Sequence, residues 1–138
     1  MRSMTRSLAF ACVFLLIAGA SAHAQPPLPS SFYGRVTLDG QNVSPGTVVS
    51  AWIDGVRFAE IAALTYEGQS VYALSVPGDD AESPATEGGV EGDTIMFRVA
   101  GYPSPDSAVW RCATNVEHDL SASSGKSEYL YLPLVLKP

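Results

Sequence analysis

The sequence predicts an all-β fold, an antiparallel β-sandwich of about seven short strands. Three observations carry that expectation. Apolar residues alternate with polar ones over short runs, turn pairs drawn from Gly, Pro, Asp and Asn separate those runs at close spacing, and no long window shows the 3.6-residue period of an amphipathic helix. With 138 residues, 46% apolar and 16% charged, the chain has the size and composition of one globular domain.

The first segment reads as an address. Arg2 and Arg6 form a positive start, residues 8–20 supply an apolar run, and Ala22-His23-Ala24 places small residues where a signal peptidase reads them. Residues 1–24 are therefore expected to be a signal peptide cleaved after Ala24, since the apolar run is shorter than the roughly 20 residues a membrane span needs. Cys12 lies too early in that run for lipidation and lacks a leucine three places before it. Processing removes two cations and one of the two cysteines, which leaves a more acidic exported chain with Cys112 alone and no intramolecular disulfide. Residues 25–31 come next as a linker in which Pro26, Pro27 and Pro29 favour extended backbone.

The sandwich domain is expected over residues 32–120. Its first strand is 32–38, closed by Asp39-Gly40, and Ser44-Pro45-Gly46 turns the chain into 47–53. Asp54-Gly55 tolerates the positive φ angles of a two-residue hairpin turn, so 56–64 should return antiparallel. The fourth strand, 71–76, stops at Pro77-Gly78; after an acidic loop come 94–100, 108–114 and 116–120. Alternation assigns Val49, Ala51 and Ile53, and Ile95, Phe97 and Val99, to the buried face. Leu74 and Val76 share a face with Tyr72, and Val36 and Leu38 complete the core from the first strand.

Four stretches together resemble a known kind of module: Gly34-Arg35-Val36, the run from Ser44-Pro45-Gly46 through Trp52-Ile53-Asp54-Gly55, Tyr72-Ala73-Leu74-Ser75-Val76-Pro77-Gly78, and Gly92-Asp93-Thr94-Ile95-Met96-Phe97. The pattern is similar to the small secreted sandwiches described as carboxypeptidase regulatory-like or prealbumin-like, and covers roughly residues 32–120. The resemblance implies an Ig-like, prealbumin-like sandwich. It leaves function open, because such modules serve as spacers, adhesin repeats and accessory domains. The ending Tyr129-Leu130-Tyr131-Leu132-Pro133-Leu134-Val135-Leu136-Lys137-Pro138 is similar to a terminal segment of exported surface proteins of filamentous phototrophic bacteria, where it comes after a polar linker like 121–128.

Charge and motif content exclude several functions. A formal net charge of -6, with 8 Lys and Arg scattered through the chain, does not suit a nucleic-acid partner. No Cys-x-x-Cys spacing offers zinc and no Gly-rich loop with Lys-Ser or Lys-Thr offers a phosphate cradle. After processing His118 is the one histidine, and its pairing with Cys112 is the only hint of a nucleophile with a base. A non-enzymatic role is the expectation, with a small hydrolase the distant alternative.

Four sets of residues are candidate sites. Asp79, Asp80, Glu82, Glu87, Glu91 and Asp93, interleaved with glycines, offer hard oxygen ligands for calcium, or else form a solvated acidic loop; their spacing fits no EF-hand. Trp52 and Tyr72 are candidates for stacking against sugar rings, with Tyr66, Tyr102 and Trp110 the other aromatics considered. Asn42-Val43-Ser44 matches a glycosylation sequon. Tyr129, Leu130, Tyr131, Leu132, Leu134, Val135 and Leu136 form an apolar stretch too short to span a bilayer. It can pack on its own domain as a further strand, donate a strand to a neighbouring copy, or act as a sorting or anchoring signal. The expected role is thus a structural, adhesive or assembly module, extracellular or at the cell surface, whose partners are a surface polymer or other copies of itself. A carbohydrate-binding module is the alternative.

Overall fold

Residues 25–126 are described by a computed structural model. The expected signal peptide, 1–24, and the segment 127–138 that holds the apolar ending lie outside the described residues. The described chain is all-β, with strands β1 Ser30–Leu38, β2 Gln41–Asn42, β3 Val48–Ile53, β4 Val56–Ala62, β5 Leu64–Tyr66, β6 Gln69–Val76, β7 Thr94–Val99, β8 Tyr102–Val109, β9 Thr114–Glu117 and β10 Leu120–Ala122. They form two sheets. The first runs β10-β1-β6-β5, with β2 and β9 also paired to β1, and the second runs β4-β3-β7-β8. Pairing is antiparallel except along one side of β1, where β9 and then β10 run parallel to it.

Local chemistry sets the turns. Asp39-Gly40, Asp54-Gly55, Glu67-Gly68 and Ala100-Gly101 each place two successive residues at positive φ between strands whose flanking residues pair directly. This is the twist-matched two-residue hairpin, for which a second-position glycine removes the steric cost of left-handed backbone. Only the two Asp-Gly turns are expected from the sequence; the other two are not. As a result β8 lies earlier than the strand expected at 108–114, directly after Ala100-Gly101. Pro103 and Pro105 are tolerated in β8 because it is an edge strand, where a missing N–H breaks no ladder. The run expected as one strand at 56–64 is divided at Ala63, a fully buried residue whose N–H donates to the Thr47 carbonyl (2.7 Å) as the chain crosses from the second sheet to the first. The strand expected at 116–120 is likewise two short ones, β9 and β10.

The core lies between the sheets and obeys the expected alternation. Val49, Ala51, Ile53, Ile95, Phe97 and Val99 of the second sheet meet Phe32, Val36, Tyr72, Leu74 and Val76 of the first, all of them buried. Leu38 packs on this cluster from its margin. Phe32 meets Phe97 edge-on at 5.5 Å between ring centroids, and the His118 ring lies 5.3 Å from Phe97. Trp110 closes one end: it is 1% exposed, and its Nε1–H donates to the Val76 carbonyl at 3.1 Å. Gly89 makes room for it, since a Cβ there would stand 2.6 Å from the indole Cδ1.

Four edge strands are blunted, while the four-residue β9 flanks the start of β1. β5 has three residues, β4 carries a bulge opposite Ala51 and Trp52, and β8 holds the two prolines. The outer edge of β10 is satisfied by side chains of β8. Ser104 Oγ donates to the Ser121 carbonyl at 2.5 Å, and Asp106 accepts from the Ser121 N–H and hydroxyl, both at 2.8 Å.

Two substitutions test this packing. Trp110→Ala is expected to lower unfolding free energy by about 3–5 kcal/mol, the usual cost of emptying a large aromatic site. Gly89→Ala should destabilise too, because the indole has nowhere to move. Urea unfolding followed by circular dichroism checks both, and a loss within error of zero for Trp110→Ala would contradict its place in the core.

Candidate functional site

The aromatic residues chosen from the sequence are not free platforms. Tyr72 is 3% exposed, and its hydroxyl donates to the His118 carbonyl at 2.5 Å. Burial pushes this phenol well above its ordinary pKa, and the charges of Asp119 and Asp106 add to the effect. Trp52 does lie on the outer face of its strand, opposite Val49, Ala51 and Ile53, but the Arg98 guanidinium covers its ring at 4.3 Å from the centroid. Its Nε1–H is spent on Ser50 Oγ at 2.8 Å.

In the acidic loop the six carboxylates named as candidate calcium ligands are dispersed. Its carboxylates bond backbone amides and do not converge: Asp80 accepts from the Glu82 N–H (2.9 Å), Asp79 from Glu87 (2.8 Å), Asp93 from Val90 (2.9 Å) and Glu91 from Cys112 (2.7 Å). Glu82 and Glu87 point to solvent. Among the described residues no group of three or more His, Cys, Asp or Glu side chains could hold a metal ion. The carboxylates act as local turn and loop ties. Cys112 is an exposed thiol, whereas the His118 ring packs against Phe32 and Phe97 with a buried Nε2 that has no hydrogen-bond partner. The two do not form a nucleophile and base. Asn42 of the sequon is engaged as well: its side-chain N–H donates to the Gly68 carbonyl at 3.0 Å and its oxygen accepts from the Ser70 N–H at 3.2 Å.

A different surface has the geometry of a binding site, the outer face of the first sheet. Phe32 and Val36 point inward, so Tyr33 and Arg35 point outward. Register sets Arg35 beside Val71, which has Leu64 on its far side, Tyr33 beside Ala73 and Glu117, and Gln69 beside Tyr66. Of these, Tyr33, Arg35, Tyr66, Gln69, Val71 and Glu117 line a shallow groove of about 560 Å³, to which the edge of the largely buried Tyr72 also contributes; Tyr33 and Tyr66 are 42% and 65% exposed. Arg35, Gln69, Glu117 and Asp119 supply planar polar groups along it. With Glu67 at the rim, three carboxylates face one guanidinium, and the groove is acidic. Tyr33 is not among the candidates drawn from the sequence, although the alternation that buries Val36 already turns it outward.

Arg35 and Asp119 form the ridge of this groove and the wall of a second one, about 540 Å³, lined by Thr37, Asn42, Asp106 and Ser121. Asp119 Oδ1 accepts the Arg35 backbone N–H at 2.7 Å; Oδ2 accepts from Nη2 at 2.9 Å and Nε at 3.2 Å. The approach is possible because residue 34 is glycine: a Cβ there would stand 2.8 Å from both Asp119 Oδ1 and the His118 carbonyl. The bond from the Arg35 N–H, then that from its side chain, holds the Asp119 carboxyl below its ordinary value. Asp39 is lowered in the same way by the Ser124 hydroxyl and N–H, at 2.6 and 2.8 Å. Partial burial opposes the effect at Asp106, where the bonds from Ser121 and Ser104 prevail and the carboxyl is again lowered.

No family model, curated protein or solved structure matches the chain.

These three carboxyls have a pH consequence. Each is depressed on folding, so each stabilises the fold above the ordinary value of 3.8 and loses that contribution as pH falls through its lower folded value. Acidification below pH 3.8 should therefore loosen the segment from Asp119 to Ser124 first. Hydrogen exchange at the Arg35, Ser121 and Ser124 amides should rise before exchange at Phe97 does; protection that falls uniformly would refute the expectation.

Proposed function

We propose that the chain is an exported, non-catalytic sandwich of the Ig-like, prealbumin-like type with an adhesive role at the cell surface, and that it adheres to carbohydrate through the outer face of its first sheet. The observation that carries this reading is the pair of exposed tyrosines, Tyr33 and Tyr66, on either side of a groove lined with planar polar side chains. A pyranose ring offers patches of C–H for an aromatic face and hydroxyls that both donate and accept. Guanidinium, carboxylate and amide groups held on a rigid sheet match the second need. The excess of carboxylates favours uncharged sugars over uronates or sulfated chains, which would meet like charge. A shallow site of this kind gives weak single contacts, and repeated contacts along a polymer give retention. The prealbumin-like assignment rests on the motif residues, among them Ser44-Pro45-Gly46 and Asp54-Gly55 bracketing β3.

Affinity electrophoresis in gels containing a neutral glucan or alginate tests the reading. Retardation by the glucan and not by alginate is expected. Tyr33→Ala and Tyr66→Ala should each weaken it by about 1 kcal/mol, or about fivefold, and Trp52→Ala should leave it unchanged. Free migration in every neutral polysaccharide, or dependence on Trp52 alone, would refute the assignment.

A second reading, assembly through residues 129–138, is supported by the run of apolar residues from Tyr129 to Leu136. Light scattering on the chain with and without residues 128–138 separates the two. Oligomers that dissolve on truncation support assembly, and identical monomers count against it.

A further inference from the structure

We infer that this module is a mechanical tether, built so that tension applied through residues before β1 and after β10 is carried in shear by a parallel seam. The inference goes beyond carbohydrate binding and stands on topology. β1 and the β9–β10 pair run in the same direction side by side, with Ser30 opposite Thr114 at one end and Leu38 opposite Ala122 at the other. At about 3.3 Å per residue, β1 spans roughly 30 Å, so the chain arrives at one end of this seam and leaves from the other. Pulling the two ends apart drives β1 backward and β10 forward along their common axis. The ladder bonds between them are then strained together. Strands whose pulled ends lie side by side peel open instead, one bond at a time.

Side chains reinforce the same seam along its length. At its start, Ser30 and Thr114 hydroxyls stand 3.0 Å apart, and the Ala113 N–H donates to the Leu28 carbonyl at 3.3 Å. At its centre, the His118 N–H donates to the Tyr33 carbonyl at 2.7 Å, and Asp119 takes three bonds from Arg35. At its end, the Asp39 N–H donates to the Ala122 carbonyl (2.9 Å) and the Asp39 carboxylate holds Ser124. Packing resists sliding as well. Phe32 and Val36 on one side, and Leu120 and Ala122 on the other, are buried teeth that sliding must drag out of the core. From the second sheet, Ser104 and Asp106 grip Ser121. β1 cannot simply move along with the pulled end, because its other side is paired with β6 from Ser30 to Arg35.

Force spectroscopy in two pulling directions tests this on one fold. The full chain carries Cys12→Ser and Cys112→Ser, with handles on Gln25→Cys and Lys126→Cys for the first direction, and on Gln25→Cys and Asn115→Cys for the second. The second pair pulls the adjacent starts of β1 and β9 apart and peels the seam. At equal pulling speed the first direction should need a severalfold higher rupture force. Asp119→Asn should lower the force in the first direction and leave the second unchanged. Equal forces in both directions would overturn the inference, whatever the variant does to folding, since equilibrium stability is common to both.

Discussion

Strand β1 is paired along both of its sides, and everything else in the molecule is placed by that fact. Its inward residues, Phe32 and Val36, found the core; its outward residues, Tyr33 and Arg35, line the groove. β6 occupies one flank, while β9 and β10 share the other. A strand bonded on both sides has no freedom to slip, because a one-residue shift would turn Phe32 to solvent and Tyr33 into the core. The closest point on this strand, Gly34, admits the His118–Asp119 backbone, and through it the Arg35–Asp119 pair. One missing Cβ thus couples packing to the polar surface.

The carboxylates share a common use. Asp79, Asp80, Glu91 and Asp93 order the long loop between β6 and β7 by accepting backbone N–H groups, and Asp39, Asp106 and Asp119 do the same around β10 and at Ser124 just beyond it. Half of the acidic side chains, seven of fourteen, are therefore structural. The carboxylates left uncommitted on the groove, Glu67 and Glu117 beside the tyrosines, set the sign of the surface a ligand would meet.

Much of the fold is legible because period-2 alternation and Asp-Gly pairs are local signals. Ile53, Ile95, Phe97 and Val99 are assigned to the core from their own neighbours alone, and they are there. Glu67-Gly68 and Ala100-Gly101 make the same turn with first residues that carry no turn preference, so β5 and the start of β8 escape the pattern. The prolines of β8 read as breakers because edge position is a property of the sheet and cannot be seen along the chain. Sites are harder. Alternation already sets Tyr72 with Leu74 and Val76, and the structure buries it there, leaving only its edge at the groove. Trp52 has its expected outward face, but the cover comes from Arg98 on another strand. The acidic residues are close in sequence, and their preference for nearby amides over one another disperses them.

The blunted edges bear on how such molecules behave when crowded. Two proteins that meet edge to edge can fuse their sheets when each offers a straight run of unpaired amides and carbonyls. Here the three-residue β5, the bulged β4, the proline-bearing β8 and the side-chain-capped β10 offer no such run. Copies strung along one chain, or packed side by side on one support, would stay separate folded beads rather than seeding a fibril. Contact between neighbours is left to side chains and to segments outside the sandwich, where it can be made and broken without putting either sheet at risk.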